Sequence, residues 1–208
     1  MPKKLVSKAK QGSSVLLEAG IDEAGRGSWA GPVVAACVIL SPTADTSLIA
    51  DSKMLSAAQR QIAYDMLVKN CLYGVGSVDN HGIDELGIKR ATERAMQIAV
   101  GSMQMKPGKL LVDGNDEFFF SIESECVIKG DQKILAIGAA SIIAKVWRDR
   151  LMELYHQAYP RYHFDEHKGY GTQLHLESLQ AYGPSPIHRY TFEPVEKVYL
   201  EKIEETIS

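Results

Sequence analysis

Asp22 and Glu23 stand side by side at the end of the apolar run Val15-Leu-Leu-Glu-Ala-Gly-Ile and are followed at once by Gly25-Arg26-Gly27. A carboxylate beside a buried strand is costly unless it is paired or holds a cation. Asp113 closes a second apolar run, Leu110-Leu-Val, and Asp131 follows Lys129-Gly130 at the head of a long amphipathic stretch. Each has an ordinary reading alone. Asp131 reads as a helix N-cap, Asp113 as the first residue of an Asp-Gly turn, and Asp22-Glu23 as a turn residue with a solvated neighbour. Together they are oxygen donors at the ends of neighbouring elements, the donor set that Mg²⁺ or Mn²⁺ prefers. Four bare carboxylates would repel one another and raise some of their pKa values. Two metals about 3.5–4 Å apart would neutralise them and support in-line phosphoryl displacement.

Two motif matches near these residues fail on context. Gly25-Arg26-Gly27-Ser-Trp-Ala30 fits the dinucleotide pattern G-x-G-x-x-G/A, which needs a helix to open directly behind it. Gly31-Pro32 and a β-branched run follow instead. A turn whose backbone approaches a ligand closely is the better reading, since glycine has no Cβ; a plain hairpin loop is the alternative. His163-Phe-Asp-Glu166-His167 fits H-x-x-E-H, which needs both histidines on one helical face. Pro160, the aromatics and Gly169 around it argue for a polar loop.

Cations and hydroxyls occur where phosphate contacts are usual: Lys53 in a loop, Lys168 and Tyr170 in His167-Lys-Gly-Tyr-Gly-Thr172, and Arg189 after a Pro-rich turn. Ser141 and Lys145 lie at about 280° and 320° from Asp131 around one expected helix, so they share its side. Scattered solvated charge is the alternative for each. Tyr170 has two readings, a ring that stacks on a sugar or base and a loop anchor.

These residues need a scaffold. Strands are expected over 15–22, 33–40, 71–78, the run from Leu110, and 124–128. Helices are expected over 56–70, with Ser56 as N-cap and Ile62, Met66 and Leu67 on one face; over 82–104; and over 132–159, with Ile143, Trp147, Leu151 and Leu154 on one face. Residues 161–172 read as loop, and helices return over 173–182 and 193–206. Strands separated by helices indicate an α/β sheet, whose sites lie at the carboxyl ends of strands. The expected division is a basic tail (1–14), a catalytic core (15–160) and a C-terminal region (161–208) that completes the substrate face.

Composition excludes little. A net charge of −3 does not announce a nucleic-acid binder, but local patches decide phosphate binding. No stretch approaches 18 apolar residues, so no spanning helix is expected. The basic N-terminus lacks the apolar segment of a secretory signal. Cys37, Cys71 and Cys126 have no paired spacing and read as free buried thiols of a cytoplasmic protein.

Gly20-Ile-Asp-Glu-Ala-Gly-Arg-Gly-Ser-Trp-Ala-Gly-Pro-Val-Val-Ala-Ala resembles the opening signature of type 2 ribonuclease H, ribonuclease HII. Asp51-Ser-Lys-Met-Leu, Val112-Asp-Gly-Asn, Lys129-Gly-Asp131, Ala139-Ala-Ser-Ile-Ile-Ala-Lys145-Val-Trp-Arg-Asp149, His167-Lys-Gly-Tyr-Gly-Thr172 and His188-Arg resemble its later motifs, in its order. The resemblance covers residues 15–192 and implies a ribonuclease H-like mixed five-stranded sheet flanked by helices, with a small C-terminal helical region. It implies an endonuclease, dependent on Mg²⁺ or Mn²⁺, that cuts the RNA strand of RNA·DNA hybrids and cuts 5′ to single ribonucleotides in duplex DNA; a monomer is the default expectation. Asp22, Glu23, Asp113 and Asp131 would then hold two cations. Gly25, Arg26 and Gly27 would read the 2′-hydroxyl, and Tyr170 would stack on the next sugar. Lys53, Ser141 and Lys145 would hold the backbone, with Lys168 and Arg189 as further contacts. Ser28-Trp29, Met54 and Gly138 depart from the family's usual Pro-Leu, Lys and Ala. The type 3 enzyme fits less well: its fourth carboxylate is usually Glu, and 14 residues before the first strand leave no room for its N-terminal domain. The alternatives are a junction resolvase-like nuclease of the same fold and a non-catalytic hybrid-binding module.

Overall fold

The computed structural model describes residues 17–47, 49 and 54–207. Strands β1 (Glu18–Ala24), β2 (Val33–Ile39) and β3 (Leu72–Val78) form an antiparallel meander. Strands β4 (Lys109–Asp113) and β5 (Glu123–Val127) add in parallel on the far side of β1. The order β3-β2-β1-β4-β5 is the expected mixed sheet of five strands. Because β1 and β4 are parallel neighbours, their carboxyl ends share one edge. Ile21 pairs with Val112, so Asp22 and Asp113 come next on adjacent strands.

Helices cover both faces. Helices α1 (Ala57–Asn70) and α4 (Leu135–Ala158) lie on one, α2 (Asn80–Leu86) and α3 (Ile88–Gly101) on the other. Strand β2 is apolar throughout because it is buried on both sides: Val33, Ala35 and Cys37 join the α3 core, Ala36 and Val38 the α1–α4 core. Gly20 lets α4 rest directly on β1, since a Cβ there would overlap the backbone of Ala136 and Ile137. That contact sets the height of the whole α4 face over the carboxylate edge. The chain continues through α5 (Phe164–His167), α6 (Gln173–Tyr182) and α7 (Glu193–Ile207). None of the helices among the described residues is long and apolar enough to cross a membrane.

Several expectations need correction. The stretch 82–104 is two helices, because Gly87 takes φ 75° and breaks the backbone path between α2 and α3. Helix α4 begins at Leu135, after a 3₁₀ turn over Gly130–Gln132 that contains Asp131. Asp131 is therefore not the helix cap, and the 280° and 320° angles measured from it on one helix do not apply. The expected loop 161–172 contains the single turn α5 and part of a 3₁₀ turn over Pro160–Tyr162. Ser56 caps α1 as expected, with Gln59 closing a capping box, but Ala63, Tyr64 and Leu67 form its buried face and Ile62 is exposed. On α4, Trp147 and Leu154 are exposed, while Ala140, Ala144, Arg148 and Met152 are buried. The three cysteines are free, yet only Cys37 is buried and Cys126 is exposed. Strand β1 begins at Glu18; residues 15 and 16, the tail 1–14 and Lys53 lie outside the described residues.

Candidate active site

Asp113 organises the carboxylate edge. Its Oδ1 accepts the Gly130 amide at 2.6 Å and the Asp131 amide at 3.3 Å, which draws the 3₁₀ turn against the end of β4. Asp131 is buried there, as is Asp22 on the neighbouring strand. Ser141 on α4 lies beside the Asp22 side chain and acts to lower its pKa. Burial, then the charges of Glu23 and Asp113, push the Asp22 carboxyl well above the usual carboxylate range. Burial also raises Glu23, against the pull of Arg26. Arg26 bridges two acids: it donates to Glu23 at 3.4 Å and to Asp116 at 2.8 Å. Lys89 reaches the other Asp116 oxygen at 2.9 Å, and Lys89 with Arg26 holds that carboxyl below its usual range.

The donor set fits hard divalent cations, which take carboxylate oxygens. Burial raises Asp22 most and the charges of Glu23 and Asp113 add to it; such a cation would offset both effects. Among the described residues, no three His, Cys, Asp or Glu side chains already surround a common cation position. The fit therefore rests on donor chemistry and shared charge.

Beside the carboxylates opens a cleft of about 440 Å³ lined by Glu23, Gly25, Arg26, Gly27, Arg60, Ser141, Lys145 and Tyr170. Two loops and two helices thus converge. Tyr170 sits between cations, its ring centroid 5.4 Å from Lys145 Nζ and 5.2 Å from the Arg148 guanidinium. Lys145 is steadied by Asp149 at 2.8 Å. The glycine loop and the tyrosine loop are joined by backbone: Ser28 bridges Tyr170, and the Trp29 amide donates to the Gly169 carbonyl at 2.8 Å. Gly171 lies so close to the Trp29 indole that a Cβ would overlap the ring.

Beneath Tyr170 runs a chain of buried imidazoles. The Ser185 amide donates to His188 Nδ1 at 2.8 Å, so His188 carries its proton on Nε2. That proton faces His175 Nε2 at 3.0 Å, which leaves His175 Nδ1 to donate to the Tyr170 carbonyl at 3.0 Å. His167 stacks on His175 at 4.3 Å, and its Nδ1 accepts the Gly169 amide at 3.1 Å. Burial, then neighbouring His167, lowers His175 to about 4; burial, then His175, lowers His188 to about 3. The rings are neutral structural parts, which also disposes of the H-x-x-E-H pattern. His163 is half-exposed at φ 54°, capping the single turn of α5, while His167 is buried.

The sequence profile described as Ribonuclease HII matches residues 19–195. Over 188 residues the chain is 46% identical to a ribonuclease HII of Coxiella burnetii, covering 90% of this chain and 93% of that one. It is 49% identical over 175 residues to a ribonuclease HII of Syntrophus aciditrophicus, covering 84% and 82%. The chain belongs to the ribonuclease HII family. A crystal structure of ribonuclease H2 from Pyrococcus horikoshii OT3 superimposes with a TM-score of 0.74 at 29% identity, covering 88% of this chain and 97% of that one. Membership of this family makes the chain an endoribonuclease.

Of the residues expected at a ribonuclease HII site, Asp22, Glu23 and Asp113 lie toward the carboxyl ends of β1 and β4, the turn holding Asp131 is tied to Asp113 through its backbone, and Gly25, Arg26, Gly27, Ser141, Lys145 and Tyr170 meet at the cleft. Two are corrected. The Lys168 ammonium turns away to Glu153 at 3.0 Å and the Asp165 carbonyl at 2.6 Å. Arg189 is fully buried and grips the glycine loop from behind. Three residues escaped the sequence reading. Arg60 joins the cleft from α1, and Asp116 anchors Arg26. Arg148 is the third; it continues the Ser141–Lys145 face one turn on, a spacing that could have found it.

Proposed function

We propose that this protein is a metal-dependent ribonuclease H that cuts the RNA strand of RNA·DNA hybrids and cuts 5′ to single ribonucleotides in duplex DNA. The observation that carries this reading is the adjacency of Asp22, Glu23 and Asp113 on one sheet edge, with the Asp131 turn tied to Asp113, to a cleft lined by Gly25-Arg26-Gly27 and Tyr170. Asp22, Glu23, Asp113 and Asp131 hold two divalent cations, Mg²⁺ or Mn²⁺, which supply water activation and stabilisation of the leaving 3′-oxygen. The products carry 5′-phosphate and 3′-hydroxyl ends. The Arg26 side chain counters the charge of Glu23, and the amides of its loop read the 2′-hydroxyl. Tyr170 stacks on the adjoining sugar. Ser141, Lys145 and, from outside the described residues, Lys53 hold the phosphate backbone. Lys168 and Arg189 have no place among the direct contacts, because one turns away and the other is enclosed. The expected agent is a monomer in the cytoplasm, with residues 161–208 completing the substrate face.

The test is turnover of a duplex with one embedded ribonucleotide, with and without Mg²⁺ or Mn²⁺, by the wild type and Asp113→Asn. The wild type cleaves only with metal. Asp113→Asn falls by at least about a hundredfold, the scale on which a single charge-stabilising group acts, while its melting remains cooperative. Equal turnover by Asp113→Asn would refute the assignment. Cleavage of an all-DNA branched substrate in preference would point to the resolvase alternative, and binding without turnover to the hybrid-binding module.

A further inference from the structure

Arg148 and Arg189 are fully buried. Burying two like charges near one another is expensive, and an apolar side chain of similar size would fill the same volume more cheaply. The structure shows where the two guanidiniums are directed. Arg189 donates from Nε to Gly31 O at 2.9 Å, from one terminal nitrogen to Arg26 O at 2.9 Å, and from the other to Gly25 O at 2.7 Å. Arg148 donates to Pro32 O at 3.0 Å, Ala30 O at 3.1 Å and Lys168 O at 2.8 Å. Five of these six carbonyls belong to the loop 25–32, and the sixth belongs to the loop that carries Tyr170. Gly25, at φ 94°, passes directly over Arg148, and a Cβ there would overlap its guanidinium.

The consequence follows from peptide geometry. A trans peptide points its N–H opposite to its C=O, and the described chain has no cis bond. The Gly25 and Arg26 carbonyls point inward at Arg189, so the Arg26 and Gly27 amides point outward, on the side where this loop lines the cleft. A hydrophobic residue at position 189 could support the loop but could not set the direction of its dipoles. At the other end of the pair, Arg148 holds the Lys168 carbonyl and lies 5.2 Å from the Tyr170 ring centroid. The same two side chains therefore fix both halves of the sugar-reading surface and their spacing.

We propose that Arg148 and Arg189 are positioning residues for sugar discrimination, a buried clamp that aims the Arg26 and Gly27 amides and holds them in register with Tyr170. This rests on the reading of that loop and Tyr170 as the 2′-hydroxyl and sugar contacts. A clamp of this kind governs where the enzyme cuts rather than whether it can bind metal. Charge alone does not suffice, because a lysine has one ammonium and cannot span three carbonyls as the planar guanidinium does.

The test is the distribution of cleavage sites in a DNA duplex containing four consecutive ribonucleotides, for the wild type, Arg189→Lys and Arg148→Lys. The distribution comes from active molecules alone, so partial unfolding lowers the yield without changing it. The wild type favours one junction phosphate. In either lysine variant that preference falls by about tenfold, the worth of one well-aimed hydrogen bond, while the metal concentration for half-maximal rate stays put. An unchanged distribution with a lower yield would overturn the clamp and leave both arginines as structural supports. A wild type that favours no junction would instead defeat the underlying reading of the loop, whatever the variants do.

Discussion

Tyr170 offers the sharpest test at the scale of one residue. Its ring lies against Lys145 and Arg148 and its carbonyl is held by His175, so the proposed stacking would use a pre-ordered ring. Stacking of this kind is worth roughly 1–3 kcal/mol. Tyr170→Ala should therefore lower the ratio of kcat/KM on a single-ribonucleotide duplex to that on a continuous hybrid by about tenfold, with the metal titration unmoved. An unchanged ratio would remove Tyr170 from the reading surface. Residue types at this scale were largely legible: an acid at the end of an apolar run stands out without coordinates. Arg189 was misread because a cation after a Pro-rich turn looks solvated. What encloses it are carbonyls of Gly25, Arg26 and Gly31, more than 150 positions earlier in the chain. Asp116 was missed for the same reason, since its importance lies in the distant Arg26.

At the scale of elements, the decisive contact is α4 on β1. Gly20 has no room for a methyl group against the Ala136–Ile137 backbone. Gly20→Ala should cost about 1–3 kcal/mol, the usual range for overpacking, read as a shift in denaturant midpoint. It should also lower turnover beyond the loss of folded protein, because α4 carries Ser141 and Lys145 over the carboxylates. Full specific activity in the folded fraction would show that the α4 height is not critical. Strands and most helices were legible from apolar runs and from punctuation such as Ser56 and Pro160. The break at Gly87 was not, because apolar periodicity runs on through a residue whose positive φ redirects the chain. The 3₁₀ turn holding Asp131 was hidden too. Local backbone bonds close it, but what seats it against β4 is the Asp113 carboxylate, 17 positions earlier than Gly130.

At the scale of the whole molecule, the buried imidazoles tie stability to pH. An unfolded histidine titrates near 6.5, whereas His175 and His188 remain neutral in the fold down to about 4 and 3. The unfolded chain therefore binds more protons in that window. The stabilisation is full above pH 6.5 and declines as pH falls, by about 1.4 kcal/mol per unit for each ring. Asp22 and Glu23, raised by burial, act in the opposite sense, so the comparison must cancel them. The stability advantage of the wild type over His188→Asn should shrink between pH 7 and pH 4, followed by denaturant midpoints; a constant gap would contradict the assigned protonation. The central claim is that one molecule joins a metal-dependent cutting edge to a reader of the neighbouring sugar. Its most direct test is cleavage mapping on a DNA duplex with one embedded ribonucleotide, in Mg²⁺ and in Mn²⁺, with analysis of the product ends. The expected result is a single cut 5′ to the ribonucleotide leaving 3′-hydroxyl and 5′-phosphate, and no cut in the all-DNA control. Cleavage on the 3′ side of the ribonucleotide, cleavage without metal, or equal cutting of the control would contradict it.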